Sequence, residues 1–347
     1  MQKRIGMFDI AKAVALIGVV VGHTLFLGMP QSIVDFCFSF DMPLFFIVSG
    51  YFCKKESLKR EVVIKNARSL LSPYALTCLL VIAGMTVRAM LNSDNIAITA
   101  FDWIVASLYG SGDYLPGMPD GVPAIGAIWY LLALFWSKLL LSAANDSKYP
   151  LPICIALFVA GIATAERVWL PLSIQPAFCS TLFLYIGQVI RQRKLLDSGS
   201  IHPIIWACML FTFLYCGFFY GQLYMVRNEY RHVLMDVIGG FCGTMVILKS
   251  GEFISKNMRI IAEPLELIGR NTLPLFCMHL LIINVVDWSY VSTFTQNISV
   301  STPIAAVLIN FTLMALLSLL IYVLPTPISS CFFKKKCRLS MQNSNQE

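Results

Sequence analysis

Apolar stretches of about the length that crosses a lipid bilayer recur along nearly all of this chain. The hydrocarbon core of a bilayer is about 30 Å thick, and about 20 apolar helical residues span it. Charged residues make up 13% of the 347 residues, against about 25% in soluble domains. Because a backbone in lipid must satisfy its own hydrogen bonds, the pattern predicts an all-α, polytopic integral membrane helical bundle.

The apolar stretches predict about ten transmembrane helices. Their approximate limits are 8–28, 33–53, 70–91, 126–144, 151–168, 172–190, 202–220, 232–250, 265–286 and 302–324. Residues 1–330 are expected to form one transmembrane domain, followed by a short basic cytoplasmic tail at 331–347. Asp9 and Lys12 lie near the start of the first stretch and no small-residue cleavage site follows it, which predicts a retained helix.

The basic residues are distributed unevenly between the predicted loops. With the N-terminus placed in the cytoplasm, twenty of the 26 lysines and arginines fall in inside segments and four fall outside. The positive-inside rule therefore predicts that both termini are cytoplasmic. The net charge of +7 is explained by the basic residues at the cytoplasmic face, next to the membrane lipids. No nucleic-acid partner is therefore expected.

Lys12 and His23 are ionisable residues inside the first predicted helix, where such residues are rare and usually functional. Their spacing of eleven residues brings them to within about 20° of one helix face, about 16 Å apart along the axis. This suits a long, thin ligand entering from the cytoplasm, with an anionic group at Lys12 and a reactive tip at His23. The structural alternatives are snorkelling of Lys12 to lipid headgroups and an interhelical hydrogen bond of His23.

Asp41 is an acidic residue inside the second apolar stretch. Residue 32, in the turn between the first two predicted helices, is the midpoint of residues 23 and 41. An antiparallel hairpin is therefore expected to place Asp41 level with His23. A carboxylate beside an imidazole can fix its tautomer and raise its basicity, which makes His23 and Asp41 the candidate catalytic residues.

Two features near Asp41 concern the path and packing of this helix. Pro43 is expected to bend the helix and loosen its backbone carbonyls. The Ser49-Gly50 pair is expected to permit close helix packing rather than to supply a nucleophile.

Two further pairs of residues are candidates for ligand contact. Lys65 and Arg68, at the start of the third predicted helix, share a helix face and suit the phosphate groups of a cytoplasmic cofactor. Arg270 lies at the cytoplasmic mouth of the ninth predicted helix, and His279 lies deep within it. Nine residues turn a helix by 900°, so these two are expected on opposite faces unless Pro274 kinks the helix. An ordinary basic loop and a structural histidine are the alternatives.

The longest predicted outside loop, about 92–125, contains the Gly- and Pro-rich segment LYGSGDYLPGMPDGVP at 108–123. Its composition predicts a turn-rich connection, and its length and aromatic residues also suit a lid or a sugar-contacting surface. The eleven cysteines include no CxxC pair and no His/Cys cluster, so no metal site is expected.

Four stretches together resemble the acyltransferase 3 family of integral-membrane acyltransferases, and its fucose-4-O-acetylase-like branch in particular. The stretches are FDIAKAVALIGVVVGHT (8–24), FSFDMPLFFIVSGYF (38–52), IWYLLALFW (128–136) and LIGRNTLPLFCMHLLI (267–282). The family's basic-x10-His motif matches Lys12 and His23. Its Arg-x-x-Arg motif matches Lys65 and Arg68, with lysine in place of the first arginine.

The resemblance implies an acyl-CoA donor, usually acetyl-CoA, bound from the cytoplasm, and a cell-surface or lipid-linked glycan as acceptor. It implies that His23 is the central catalytic residue and that the protein lies in a bacterial inner (cytoplasmic) membrane. The residues expected to contact the donor are Lys12, Lys65, Arg68 and Arg270. The residues expected to contact the acceptor are Trp129 and His279.

One position departs from the family pattern. The branch usually has Phe-His before MPLFF, whereas this chain has Phe40-Asp41. An ionised carboxylate cannot donate a hydrogen bond, so the exchange is expected to alter the acceptor more than the reaction.

Two other functions also fit the composition. A proton-coupled transporter of small molecules would place His, Lys and Asp inside a bundle of ten helices, although the chain shows no inverted repeat. A non-catalytic assembly factor for surface polysaccharide would leave His23 without a chemical role.

Overall fold

A computed structural model of the chain describes residues 6–197, 201–220 and 223–333, and the secondary structure of these residues is almost all helix. The first eight helices are α1 (Gly6–Gly22), α2 (Gln31–Phe38), α3 (Asp41–Phe52), α4 (Arg60–Asn92), α5 (Ile96–Tyr109), α6 (Trp129–Asn145), α7 (Pro150–Thr164) and α8 (Ile174–Gln192). The remaining helices are α9 (Pro203–Tyr215), α10 (Val233–Asn257), α11 (Arg259–Arg270), α12 (Thr272–Val285), α13 (Trp288–Asn297), α14 (Thr302–Val323) and α15 (Thr326–Phe332). A short antiparallel hairpin pairs β1 (Leu223–Tyr224) with β2 (Glu229–Tyr230).

Five helical segments of the described chain are long and apolar enough to cross a membrane. They are Gln31–Phe52, Arg60–Asn92, Pro203–Tyr220, Val233–Asn257 and Thr302–Val323. The bent pair α11 and α12 makes a sixth if it is counted as one span. Each of the ten predicted spans overlaps a helix, but several of these helices are too short or too polar to qualify by themselves. The count of ten and the cytoplasmic termini therefore stay predictions, and residues 334–347 of the expected tail lie outside the described residues.

Helix α1 lies in the middle of the bundle and packs against α2, α3, α10, α11 and α12. Its small residues make this possible, because Ala11, Ala13 and Ala15 are completely buried and hold no bulk that would separate the helices. Leu16 and Val20 fill the remaining space and are also completely buried. A central position places the polar residues of α1 within reach of several other helices.

Two glycines bring α3 and α8 into backbone contact. A Cβ atom on Gly50 would lie 2.0 Å from the carbonyl oxygen of Leu184, and one on Gly187 would lie 2.0 Å from that of Ile47. Such distances are far inside van der Waals contact, so only glycine fits at either position. The expectation that Ser49-Gly50 permits close helix packing is confirmed.

Two helices are broken near polar residues. The second apolar stretch is interrupted at Ser39 and Phe40, just before Pro43, whose ring occupies the first turn of α3 and therefore removes no intrahelical hydrogen bond. The ninth predicted span breaks at Asn271, where α11 and α12 meet at an angle of 72°. Pro274 lies in the first turn of α12, three residues after that break.

The predicted loop at 92–125 is partly helical. Residues 96–109 form α5. Asn95 caps its N-terminus, because its side chain accepts a hydrogen bond from the Ile98 amide at 3.1 Å. The helix ends at Gly110, whose φ of 70° lies in the left-handed region that glycine adopts readily. The loop prediction is therefore wrong for 96–109 and confirmed for 110–123, where turns replace helix.

Candidate functional site

His23 follows the last residue of α1 and is half-buried. Its Nδ1 atom lies 2.7 Å from the carbonyl oxygen of Val19, one turn earlier. Because a carbonyl oxygen can only accept a hydrogen bond, Nδ1 carries the proton and donates it. In the neutral ring Nε2 then keeps its lone pair, and this is the form of imidazole that acts as a general base.

His279 of α12 contacts His23 directly. The two ring centroids are 5.2 Å apart and the ring planes meet edge to face at 74°. Nδ1 of His279 lies 3.1 Å from Oδ1 of Asn310 on α14, and both side chains are buried. Nε2 of His279 is buried without a hydrogen-bond partner among the described residues. The sequence placed His279 deep in its helix but gave no sign of Asn310 or of the contact with His23.

Phe38 of α2, and residues of the 110–128 loop and of the β1–β2 hairpin, lie beside His23. Phe38 is 6.1 Å from the His23 ring centroid, and Tyr224 packs edge to face against Phe38 at 5.4 Å. Nε of Arg227 donates to Oδ2 of Asp113 at 2.7 Å, which joins the 110–128 loop to the hairpin. This hydrogen bond raises the pKa of the Arg227 guanidinium above its ordinary value, so Arg227 stays charged at every physiological pH. The Asp113 carboxylate also acts electrostatically on His23.

Asp41 does not lie level with His23. A Cβ atom on Gly18 would be 3.4 Å from the Asp41 Cβ, so Asp41 opposes a residue five positions before His23. Five residues correspond to about 7.5 Å along the axis, and Gly18 is turned by about 140° from the His23 face.

The hairpin between α1 and α2 turns earlier than residue 32, since a Cβ atom on Gly22 would meet the ring of Phe38. The expected pairing of Asp41 with His23 is therefore wrong. The Oδ1 atom of Asp41 accepts a hydrogen bond from the Met42 amide at 2.5 Å, and its Oδ2 atom is buried without a hydrogen-bond partner in the described chain.

Lys12 belongs to a charge network at the opposite end of α1 from His23. Nζ of Lys12 donates to Oδ1 of Asp9 at 2.7 Å, and Nε of Arg270 lies 3.7 Å from Oδ2 of the same carboxylate. Arg270 also donates from Nη2 to Oε2 of Glu266 at 2.5 Å. Lys12 and Arg270 are thus near each other through Asp9, and carboxylates neutralise part of their charge. Because of the break at Asn271, Arg270 and His279 lie on separate helices and at different sites.

Lys65 and Arg68 are exposed on the first turns of α4. The Lys65 ammonium acts electrostatically on Cys53, which places it near the end of α3. A cavity of about 420 Å³ opens at this point. Its lining residues are Cys53, Lys54, Lys55, Gln188, Arg191 and Gln192. The packing of α3 against α8 brings Lys54 and Lys55 into one cavity with Arg191, which is distant in sequence.

Trp129 is the first residue of α6 and is 5% exposed. Its ring packs against Phe46, with 6.4 Å between the ring centroids. A Cβ atom on Gly112 would lie 2.5 Å from the Trp129 ring and from Val226, so the ring supports the loop at the point where it meets the hairpin segment. The described residues contain no group of three or more metal-ligating side chains.

Helices long enough to cross a membrane surround the half-buried His23 and the buried His279, so the contact between the two rings lies within a membrane protein's helical core. Residues 5–323 match the acyltransferase domain that characterises the acyltransferase 3 (Acyl_transf_3) family. The chain belongs to this family and is a membrane acyltransferase. No curated protein and no solved structure matches the chain.

Proposed function

We propose that the protein transfers an acetyl group from cytoplasmic acetyl-CoA to a hydroxyl of a cell-surface or lipid-linked glycan, as in the fucose-4-O-acetylase-like branch. The observation that carries this proposal is the tautomer of His23. The Val19 carbonyl holds the proton on Nδ1, so Nε2 is free to accept the proton of a sugar hydroxyl. The protein is proposed to act in a bacterial inner membrane, with its N-terminus in the cytoplasm.

The proposed reaction is a direct transfer. The hydroxyl gives its proton to Nε2 of His23, and its oxygen attacks the thioester carbonyl carbon. When the tetrahedral intermediate collapses, the C–S bond breaks and the new C–O bond remains. The CoA thiolate then takes the proton from the His23 imidazolium. The products are an acetyl ester and free CoA, and His23 returns to its starting state.

His279 is proposed to hold the His23 ring in position, and to contact the acceptor when it binds. Asn310 accepts from Nδ1 of His279, which leaves the His279 Nε2 lone pair beside the ring that becomes positive during the reaction. A lone pair at this place favours the imidazolium form of His23 electrostatically. Asn310 is thus a positioning residue that acts through His279.

The donor is proposed to enter at the end of the bundle that holds Lys12, Lys65 and Arg68. Helix geometry places Lys12 and His23, which directly follows α1, within about 20° of one face, and a separation of about 16 Å suits an extended pantetheine arm. Arg270 is proposed to contribute to this entrance through the network around Asp9. The acceptor is proposed to reach His23 beside the 110–128 loop, and the Trp129 ring packs against this loop at Gly112.

A cell-based experiment tests the proposed function. O-acetyl esters on surface glycans are measured by NMR in cells that lack the protein and are complemented with the wild type, His23→Ala or His202→Asn. His202 lies at the N-terminus of α9, away from the site, and asparagine keeps a side chain able to cap that helix. We expect esters with the wild type and His202→Asn only. Equal ester content with His23→Ala at equal membrane abundance would refute the proposal.

A further inference from the structure

The cavity between the ends of α3 and α8 concentrates positive charge. Its volume of about 420 Å³ lies within the range of about 300–1,000 Å³ found for small-molecule sites. The backbone contact at Gly50 and Gly187 brings α8 against α3, and the segment that follows α3 forms the other wall. Three lining residues are cationic, namely Lys54, Lys55 and Arg191, and no lining residue is acidic.

The surroundings of the cavity strengthen this charge. Lys138 and Lys65 act electrostatically on Cys53 in the cavity wall, and Glu56 is the carboxylate that acts on it. Arg191 is oriented by the hydrogen bond that its Nη1 atom donates to the Tyr51 carbonyl oxygen at 3.4 Å. A guanidinium held in this way is suited to bind a phosphate group through two hydrogen bonds.

Gln188 supplies a second and independent sign of a ligand. Its side chain is 2% exposed, and its Oε1 atom is buried without a hydrogen-bond partner in the described chain. Its Nε2 atom points to the Lys54 carbonyl oxygen at 3.5 Å, which leaves Oε1 as the free acceptor. A buried acceptor without a partner is unfavourable, and a ligand with an N–H or O–H group would satisfy this oxygen.

We propose that this cavity binds a phosphorylated nucleoside. The phosphate groups contact Lys54, Lys55 and Arg191, and a hydroxyl or amino group of the nucleoside donates to Oε1 of Gln188. This inference rests on the proposed function, because it assigns the cavity to the adenosine bisphosphate end of the acetyl-CoA donor. Arg270 is less suited to this task, since Asp9 and Glu266 already neutralise its charge.

The position of the cavity agrees with the proposed path of the donor. Phe8, near the start of α1, packs against Tyr51 and Phe52 of α3 with ring centroids 4.7 and 4.8 Å apart. The cavity begins at the next residue, Cys53. From Phe8, α1 rises about 22 Å to His23, so a nucleotide in the cavity would have its flexible arm directed along α1.

The test measures binding to the full chain in nanodiscs of neutral lipid by isothermal titration calorimetry. The probes are adenosine 3′,5′-bisphosphate, inorganic phosphate and acetyl-CoA. The cavity variants are Lys54→Gln/Lys55→Gln and Gln188→Leu. Lys59→Gln/Arg60→Gln is the matched control, because it removes two charges from the same segment outside the cavity lining.

We expect the bisphosphate to bind the wild type and the control within about threefold of each other. Each cavity variant should weaken its binding by about tenfold or more, because Lys54→Gln/Lys55→Gln removes contacts to phosphate and Gln188→Leu removes a buried hydrogen bond to the nucleoside. Gln188→Leu should do so without lowering thermal stability, because leucine removes a buried acceptor that has no partner.

Several results would overturn the inference. If acetyl-CoA binds the wild type while the cavity variants leave nucleotide binding unchanged, the cavity assignment fails and the proposed donor stands. If inorganic phosphate competes as well as the bisphosphate, or if anionic lipid in the nanodisc abolishes nucleotide binding, the cavity is a general anion or lipid-headgroup site. If no acetyl-CoA binds at all, the proposed function fails together with the inference.

Discussion

The imidazole rings of His23 and His279 meet edge to face, with 5.2 Å between their centroids. Nδ1 of each ring is held by an oxygen acceptor, the Val19 carbonyl for His23 and the Asn310 amide for His279. In the neutral rings both Nε2 atoms therefore carry lone pairs, and they belong to one site built by α12 and the end of α1. A proton taken up by His23 is placed beside a neutral neighbour that carries a lone pair.

Replacing Asn310 tests the role of this second histidine. We expect Asn310→Leu to lower kcat about tenfold through the loss of one orienting hydrogen bond, with little change in KM for acetyl-CoA. Asn310→Asp keeps an oxygen acceptor and should restore most of kcat. Ser318→Ala is the matched control, because Ser318 lies on the same helix and its buried Oγ has no hydrogen-bond partner in the described chain. Equal kcat values for Asn310→Leu and the wild type would contradict the positioning role.

Asp41 is expected to tolerate replacement by asparagine. The amide oxygen can still accept from the Met42 amide, and the side chain opposes Gly18 rather than His23. We expect kcat/KM of Asp41→Asn to stay within about threefold of the wild type, a difference below 1 kcal/mol. Steady-state acetyl transfer in nanodiscs measures this. A loss of a hundredfold in a variant of unchanged thermal stability would show that Asp41 acts on the reaction.

The contact of α3 with α8 depends on the absence of side chains. Gly50→Ala and Gly187→Ala would each bring a Cβ atom to 2.0 Å from a backbone oxygen. We expect each to destabilise the protein by at least about 1–3 kcal/mol, the usual cost of overpacking, and to lower the unfolding temperature. Gly18→Ala is the control, because its Cβ would lie at 3.4 Å from its nearest neighbour. Unfolding temperatures that match for all three variants would contradict the close approach.

Cys53 reports on the cavity through its reaction with maleimide. Burial raises the pKa of the Cys53 thiol, and because the thiolate is the reactive form, labelling should be slow at pH 7 and accelerate as the pH rises. Adenosine 3′,5′-bisphosphate should protect Cys53, which lines the cavity. Peptide mass spectrometry after timed labelling at pH 7 and pH 9 measures both effects. Labelling that is equally fast at the two pH values, or that the nucleotide does not slow, would contradict the description of this wall.

The positions of the helices follow well from the sequence, since each predicted span overlaps a helix of the structure. Length and apolar composition determine this property, and both can be read along one chain. The breaks at Ser39–Phe40 and at Asn271 are harder to place, because a proline in the first turn of a helix is compatible with several positions of the preceding break. The predicted depth of Asp41 is wrong for a similar reason, because the position of a turn is also hard to read from the sequence. A shift of the hairpin turn by two residues changes which residues face each other across the hairpin.

The site itself could be predicted only in part. Motif spacing singled out Lys12 and His23 because both lie on one helix, where geometry is fixed by the number of residues between them. The contacts of His23 with His279 and of His279 with Asn310 join distant parts of the chain, so no local pattern reveals them. The grouping of Lys54 and Lys55 with Arg191 cannot be read from the sequence either, because the cavity that they share exists only after α3 and α8 pack together.

The most direct measurement is acetyl transfer by the purified full chain from radiolabelled acetyl-CoA to glycans extracted from its own cells. Wild type, His23→Ala and His202→Asn are compared at equal amounts of folded protein. We expect label in the glycan with the wild type and His202→Asn, and a loss of about 10²-fold or more with His23→Ala, as is usual for removal of a general base. Transfer by His23→Ala at the wild-type rate would contradict the central role of His23.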